Sequence, residues 1–324
     1  MTRTSAIAVA AGTLGALLLV AALRHSMLGV MVGTMLSPLP LAMVVFGLGS
    51  SYLPLAVVAG AVAVTVMTGS FPLATVYLAV DAAPVAMLSR LGIDALSTGN
   101  KPVTGTAMGR TVCWLVLTAF AAVMAGLAMM AGPDGIEAAL RAKLEAVLAT
   151  VPQSVTAADK VGSGEDFSAT MTEMIKAAAG LLPGFEALGW CTRAIMSACL
   201  AQMMLMRMDI ALWPTPAYRG FQTPQWFAVL FGIAVLAAAM LKNDAGFMAG
   251  NAAAILSLPL VLQGLAVVHS AAGLTKHRGM WLTVFYVLAL VTAGISALLL
   301  AGLGVMDQFL QIRSRYLGVR TGGE

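Results

Sequence analysis

Residues 26–80 read SMLGVMVGTMLSPLPLAMVVFGLGSSYLPLAVVAGAVAVTVMTGSFPLATVYLAV and contain no charged side chain. A helix needs about 20 apolar residues to cross about 30 Å of hydrocarbon, so this stretch is long enough for nearly three helices. Proline and glycine divide it at residues 37–40, 47–54 and 69–72. Because these residue types interrupt or end helices, we predict three consecutive membrane spans with breaks at those places.

The composition of the whole chain agrees with this prediction. Its 324 residues are 60% hydrophobic and only 10% charged, with a mean hydropathy of +0.92. Soluble domains are about 25% charged, so this chain has too few charges to cover a water-facing surface. The 18 Lys and Arg residues are scattered between apolar runs, and we therefore expect no nucleic-acid partner.

A scan for apolar windows extends the series of spans along the chain. The sequence predicts an all-α integral membrane protein, a bundle of eight or nine transmembrane helices with one amphipathic helical hairpin insert. The expected division is helices 1–5 in residues 1–131, the hairpin in 132–177, helices 6–9 in 178–310 and a basic tail in 311–324. The ninth span is expected at residues 281–304.

The distribution of basic residues favours one orientation without settling it. The basic loop from Arg90 to Arg110 is typical of the cytoplasmic side, and this orientation places eight short-loop basic residues inside against five outside. Nine spans then leave Arg313, Arg315 and Arg320 outside. If one late segment does not cross, eight spans place the tail in the cytoplasm.

The hairpin is predicted from its polar pattern. Asp134 and Glu137 resemble a capping box, and apolar residues then recur every four positions from Ile136 to Leu148. A second helical pattern begins at Asp166. The hairpin is expected to be either a lid or partner-docking element, or a simple connection.

Ionisable residues inside apolar spans are costly and are candidates for function. Asp81 lies in the predicted fourth span just before Pro84, while Glu186 and Arg193 lie seven residues apart in the predicted sixth span. Together with the break at Pro38 and Pro40, they are candidates to line a substrate pocket. The alternatives are ion pairs between helices or positions near the membrane interface.

Other chemistry is not indicated. Cys113, Cys191 and Cys199 lie in apolar stretches and do not have the spacing of a metal site or a disulfide framework. The methionine-rich stretch from Met196 to Met208 is more typical of packing than of copper binding. No nucleotide-binding or hydrolase motif is present, so we expect no catalytic residue, no metal, no cofactor and no enzyme activity.

The carboxyl-terminal third carries a resemblance. The segments 263–269, 276–278 and 302–313, with the early Ser37–Leu41 break, resemble the YybS-like family of bacterial polytopic membrane proteins across nearly the whole chain. The residues that match its pattern are Gln263, Gly264, His269, Asp307 and Arg313.

That family resembles, more distantly, the substrate-binding S components of energy-coupling-factor transporters, which have about six spans. Such proteins present small residues of their first helix to a coupling subunit. Here small residues are four positions apart at Ala6 and Ala10, Ala8 and Gly12, and Gly12 and Ala16, a spacing suited to close helix contact.

Two hypotheses for function follow. The first is an S-component-like subunit of the bacterial cytoplasmic (inner) membrane that captures a small polar metabolite and docks to an ATPase-driven coupling module. The second is a non-transporting scaffold or assembly subunit of a membrane protein complex. Under both hypotheses we expect the protein to contact the lipid bilayer and partner subunits.

Overall fold

A computed structural model of the chain describes residues 2–24, 33–91, 103–130, 132–133, 135–150, 180–316 and 318. Every longer regular element in these ranges is helical. The helices are α1 (Arg3–Arg24), α2 (Leu39–Leu48), α3 (Leu53–Thr68), α4 (Phe71–Leu88), α5 (Gly105–Met129), α6 (Ile136–Thr150), α7 (Leu182–Arg207), α8 (Gln225–Met240), α9 (Asn243–Ala272), α10 (Arg278–Val291), α11 (Ala293–Leu310) and α12 (Ile312–Tyr316).

The predicted class of fold, an all-helical membrane protein, is confirmed. Within the described ranges, five helices are long and apolar enough to cross a membrane, namely α1, with its apolar window at Arg3–Ala22, α3 together with the preceding turn (Ser50–Thr68), α4, α5 and α9. Helix α7 has 26 residues but carries Glu186, Arg193 and Gln202 and is not among the five. The count of eight or nine spans stays a prediction.

The predicted ninth span is divided in two. Thr292 has φ −106° and ψ 28°, outside the helical region, and separates α10 from α11. The apolar run from 281 to 304 therefore forms parts of two shorter helices. Hydropathy alone does not register such a break, because the residues around it are as apolar as the helices.

The described chain divides into two compact units. The first comprises residues 1–115, 189–225 and 259–324, and the second comprises 116–188 and 226–258. Each unit is discontinuous in sequence because α5, α7 and α9 each contribute to both. This division groups residues by packing, whereas the boundaries predicted at 131, 177 and 310 separate types of segment, and those boundaries stay a prediction.

In the first unit, α1 packs closely against α3 through small side chains. A Cβ atom added to Gly12 would lie 1.9 Å from the carbonyl oxygen of Ala56, so only glycine permits this approach. Ala8 and Ala16 are fully buried on the same face. Two of the three small-residue pairs of α1, Ala8 with Gly12 and Gly12 with Ala16, thus lie on the buried face of this helix. The third pair, Ala6 and Ala10, is exposed.

The breaks predicted from proline and glycine mark the starts and ends of helices. Gly69 ends α3 in the left-handed conformation with φ 66°, and Ser70 caps the next helix by accepting a hydrogen bond from the Leu73 amide. Gly49 has φ 108° and follows α2. These conformations favour glycine, which explains why the uncharged run folds into separate helices.

In the second unit, α6 begins at a cap that is distant in sequence. The Asp244 carboxylate accepts hydrogen bonds from the amides of Ile136, at 2.9 Å, and Glu137, at 3.3 Å. Glu137 also pairs with Arg141, one turn later, at 2.7 Å. Asp134 and the second helix predicted from Asp166 lie outside the described residues.

Helices α9 and α11 of the first unit cross at glycine. A Cβ atom added to Gly264 would lie 2.1 Å from the Leu300 carbonyl oxygen, and one added to Gly304 would lie 2.1 Å from that of Leu260. The two backbones therefore touch without intervening side chains, as in other membrane helix pairs.

We predict that Gly264→Ala destabilises the protein by roughly 1–3 kcal/mol, because the new methyl group must push the α11 backbone away. Thermal unfolding in nanodiscs measures this change. Gly302→Ala is the matched control, since nothing lies within 4 Å of the Cβ added there, and it should be neutral or stabilising by up to about 1 kcal/mol. Equal melting temperatures for the two variants would contradict the close crossing.

Candidate functional site

Asp81 and Arg193 form a buried ion pair in the first unit. Asp81 lies in a π-helical turn of α4, Leu78–Ala82, and Arg193 lies in α7. The Arg193 Nη2 atom is 2.9 Å from Asp81 Oδ1, and the two side chains are 7% and 0% exposed. A pair that is so completely removed from solvent needs further hydrogen bonds to offset its desolvation.

Arg193 finds those bonds at two carbonyl groups that proline residues leave without their usual donor. Proline has no amide hydrogen and cannot bond to the carbonyl four residues earlier. Pro38 therefore frees the Thr34 carbonyl, and Pro84 frees that of Val80. The Arg193 guanidinium donates to both, through Nη1 to Thr34 at 3.0 Å and through Nη2 to Val80.

Neighbouring hydroxyl groups extend this group of residues. Ser37 donates to the same Thr34 carbonyl at 3.1 Å, and Ser197, one turn beyond Arg193, donates to the Met35 carbonyl at 3.2 Å. We call Thr34, Val80, Asp81 and Arg193 the Arg193 cluster. It ties the broken segment before α2 and the π turn of α4 to α7.

Part of the polar capacity in this region is unused. The 2.9 Å contact is not aligned as a hydrogen bond, and neither Asp81 oxygen has another hydrogen-bond partner among the described residues. The Tyr77 hydroxyl, one turn earlier, is likewise buried without a partner in the described ranges. It fills the space above Gly60, where a Cβ atom would lie 2.2 Å from it.

The five residues predicted for a substrate pocket have different surroundings. Asp81 and Arg193 contact each other. Pro38 has no amide hydrogen for the Thr34 carbonyl, which accepts a hydrogen bond from Arg193 instead. Pro40 is buried in the first turn of α2. Glu186 is exposed and belongs to the second unit. Of the alternatives left open, an ion pair between helices describes Asp81 and Arg193.

Three of the family-pattern residues meet in a second buried cluster of the first unit. The Arg313 Nε and Nη2 atoms donate to Asp307 Oδ2 at 3.0 and 2.7 Å, and the Arg313 amide donates to Oδ1 at 3.1 Å. The Gln263 amide nitrogen also reaches Asp307 Oδ2 at 3.0 Å. Gln311, in the left-handed conformation with φ 51°, turns the chain so that Arg313 can return to Asp307.

We call Gln263, Asp307 and Arg313 the tail cluster. It also holds the loop before α8. The Thr223 amide and hydroxyl donate to Gln263 Oε1 at 2.9 and 2.6 Å, and Arg313 Nη1 donates to the Arg219 carbonyl at 2.6 Å. The Asp307 and Arg313 charges thus pair with each other inside the unit. The cluster fastens the described part of the tail to the bundle.

The other two family-pattern residues lie elsewhere. Gly264 forms the helix crossing described above, and His269 Nε2 is 2.7 Å from the Tyr286 hydroxyl. The Tyr218 ring packs edge-on against His269, with centroids 5.7 Å apart. Burial raises the pKa of the Tyr218 phenol, which remains a donor and bonds to the Leu262 carbonyl at 2.8 Å.

A cavity of about 520 Å³ lies within the first unit, along α7. Its walls are mainly aromatic, aliphatic and sulfur-containing side chains. They include Phe46, Leu88, Met108, Ile195, Met203, Trp213, Tyr218 and Phe221. Arg207, at the exposed end of α7, is the one charged residue among the described residues that line it.

Gln202 is the notable polar group of this cavity. Its side chain is only 6% exposed. The amide nitrogen donates to the Trp213 carbonyl at 2.9 Å, and the amide oxygen has no hydrogen-bond partner among the described residues. Cys199, one turn earlier on α7, also lines the cavity and is exposed.

Two amide side chains inside the helices are not among the residues predicted from the sequence. Gln202 lines the cavity, and Asn251 joins α7 to α9 in the second unit, where its amide bonds to Gly184, Gly180 and Phe247. A scan for Asn and Gln inside apolar spans would have found both. In the part of the chain that the structure describes, no three His, Cys, Asp or Glu side chains come together as metal ligands would.

We predict that Arg193→Met destabilises the protein by about 3–5 kcal/mol, because it leaves the Asp81 charge buried and unpaired. Thermal unfolding in nanodiscs measures the loss. Adding Asp81→Asn should restore part of it, since the buried charge is then gone while the hydrogen bonds from Arg193 to the Thr34 and Val80 carbonyls are still lost. Glu186→Gln, an exposed change on the same helix, is the control and should leave the melting temperature unchanged. If Arg193→Met lowers the melting temperature no more than Glu186→Gln does, the cluster is contradicted.

A second prediction concerns the tail cluster. Arg313 is fully buried, whereas Arg315 is exposed, so trypsin should cleave the native protein after Arg315 and spare Arg313. In Asp307→Ala the buried partner of Arg313 is lost, and cleavage after Arg313 should follow. Met306→Ala, an exposed neighbouring change, should keep the native pattern. Mass spectrometry of the products reads out the result, and rapid native cleavage at Arg313 would contradict the cluster.

Comparison with known proteins gives the family. A family model described as "Predicted membrane protein (DUF2232)" matches residues 13–308. A search of curated proteins and a search of solved structures each found no match. The narrower YybS-like assignment and the likeness to S components stay predictions. Since the matched region includes nearly the whole chain, the protein belongs to this family of predicted membrane proteins.

Proposed function

We propose that this protein is a membrane-embedded binding subunit that holds a small molecule inside its helix bundle. The observation that carries the proposal is the cavity of about 520 Å³ along α7. Ligand sites in proteins are typically clefts of about 300–1,000 Å³ with mainly apolar walls and a few placed polar groups. Gln202, Thr215 and Arg207 are polar side chains among the residues that line it.

In this proposal the binding site is the cavity, and the Arg193 cluster has a positioning role. Arg193 fixes α7 to the segment before α2 and to α4. Ile195, Cys199 and Gln202 follow within the next turns of α7 and line the cavity. A guanidinium that is occupied by two carbonyls and a carboxylate has little capacity left for a substrate.

The proposed role is binding and not catalysis. The cavity wall offers Arg207 as its charged group, and its described residues include no carboxylate or histidine to act as acid or base. The apolar lining also favours a largely apolar ligand over the small polar metabolite that the sequence predicts. We place the protein in the bacterial cytoplasmic membrane with partner subunits, an ATPase-driven coupling module among them.

A non-transporting scaffold is the second candidate, and the tail cluster favours it. Asp307, Arg313, Gln263 and Thr223 are joined by hydrogen bonds inside the protein, as residues that hold helices together are. Helix α10 adds a surface for a partner or for lipid, because none of its described side chains is buried in the chain. In a scaffold, the cavity has no resident ligand.

We predict that the protein, purified gently from native membranes, carries one small molecule in near-stoichiometric amount, as detected by mass spectrometry. Ala198→Trp places an indole ring in the cavity, which reduces its volume and should remove or weaken the binding of this molecule. Ala239→Trp, at an exposed position of α8, is the matched control and should retain it. Proteins that co-purify are identified in the same experiment.

The outcomes separate the two candidates. A molecule that is retained by wild type and Ala239→Trp but lost from Ala198→Trp supports the binding subunit. A stable membrane complex that contains no small molecule contradicts it and favours the scaffold. A molecule that persists in Ala198→Trp contradicts the cavity as its site.

A further inference from the structure

We infer that the surface at the carboxyl-terminal end of α9 binds an anionic phospholipid. The lipid phosphate lies between the Arg219 and Arg278 side chains, and the acyl chains lie against α10. This surface is separate from the cavity, so the inference does not depend on the proposed function. Phosphatidylglycerol and cardiolipin have the required net negative charge, whereas phosphatidylcholine, whose choline group neutralises its phosphate, does not.

Basic side chains from two distant parts of the sequence meet at this end of α9. Arg219 lies in the short helical turn before α8, and Arg278 is the first residue of α10. The Arg219 guanidinium lies over Gly273, where a Cβ atom would be 2.9 Å from Nη2 and 3.0 Å from Nη1. Both arginines are close enough to His269 to interact with it electrostatically. Two guanidinium groups thus share this end of the helix, with Lys276 in the turn beside them.

These positive charges have no counter-charge in the described part of the chain. Lys276 and Arg278 are exposed and Arg219 is partly exposed, and none of the three forms an ion pair with a described residue. The sequence gives the reason, because residues 210–243 and 245–306 contain no Asp or Glu. The charge that balances this surface therefore comes from outside these segments, and the side chains are open to it.

The Arg219 guanidinium is not needed to cap α9. The amides of residues 273–275 already donate to the carbonyl groups of residues 269–272, at 3.1–3.2 Å. These carbonyls are the ones that the end of a helix leaves without a donor. Since the turn supplies their donors, and since the Arg219 side chain makes no hydrogen bond to a described residue, its N–H groups are available to a ligand.

The place of this surface in the chain points to a lipid headgroup. Helix α9 is one of the five candidate membrane spans and ends at Ala272, so the basic residues directly after it lie where headgroups are found. Basic residues next to a membrane helix attract anionic lipids. Trp281 and Tyr286 of α10 are 55% and 44% exposed, and exposed aromatic rings of this kind are typical of the membrane interface.

Helix α10 supplies a surface for the acyl chains. None of its side chains is buried, and Val284, Val287 and Leu288 are each more than half exposed. The Tyr286 hydroxyl lies 2.7 Å from His269 Nε2, so α10 passes the same end of α9 as the two arginines. Guanidinium groups bind phosphate through charge-assisted hydrogen bonds. A phosphate next to an exposed apolar helix matches a phospholipid better than a soluble anion.

The test compares two lipids that differ only in the headgroup. The full-length protein in detergent receives equal amounts of phosphatidylglycerol and phosphatidylcholine with identical acyl chains, and native mass spectrometry counts the lipids that stay bound. The variants are Arg219→Gln and Arg278→Gln. Lys242→Gln is the matched control, because it removes one positive charge at an exposed position just before the amino-terminal end of α9.

We expect wild type to retain phosphatidylglycerol roughly tenfold better than phosphatidylcholine. Each arginine variant should reduce this preference about fivefold, the effect of one basic residue at an anionic membrane surface. Lys242→Gln should keep the wild-type preference. Inorganic phosphate at about 10 mM should not displace the bound lipid, because the acyl chains also contact α10.

Each other result overturns a stated part of the inference. Equal retention of the two lipids by wild type overturns the anionic lipid, and this comparison stands even if an arginine variant folds poorly. A preference that survives in both arginine variants, or that Lys242→Gln reduces equally, overturns the site. Displacement by inorganic phosphate overturns the lipid as occupant and identifies a site for the free anion.

Discussion

The described structure of the first unit depends on a single buried guanidinium. Two prolines interrupt helical hydrogen bonding, one before α2 and one in α4, and each leaves a carbonyl without its donor. Arg193 supplies both missing donors and balances the Asp81 charge. Inside a membrane such carbonyls find no bulk water, so without this residue the breaks that divide the long uncharged run into helices would be costly.

The position of the cavity follows from that arrangement. Arg193 lies near the middle of α7, and the cavity-lining residues Ile195, Cys199 and Gln202 follow it on the same helix. Its contacts with Thr34, Val80 and Asp81 fix this part of α7 to the segment before α2 and to α4, and the next turns of the same helix form one wall of the cavity. The polar fastening and the cavity wall therefore belong to consecutive turns of one helix.

The sequence predicts the parts of this structure that follow from chain chemistry alone. Composition is enough to predict a helical membrane protein. Pro38, Gly49 and Gly69 interrupt or end helices, so the breaks predicted from them lie close to the helix ends in the structure. The carbonyl freed by Pro84 is also foreseeable, since the missing donor is a property of proline. The identity of the group that satisfies it is not, because Arg193 is 113 residues away from Val80 and only tertiary packing brings it near.

The site itself is less predictable, for the same physical reason. Charge inside a span marks a cost that the chain must offset, so Asp81 and Arg193 are conspicuous in the sequence, and the fold brings them together as a buried ion pair. A neutral amide such as Gln202 costs less to bury and is inconspicuous in the sequence, although it lines the cavity. The charges inside the spans therefore point to the residues that hold this unit together, and they do not point to the walls of its cavity.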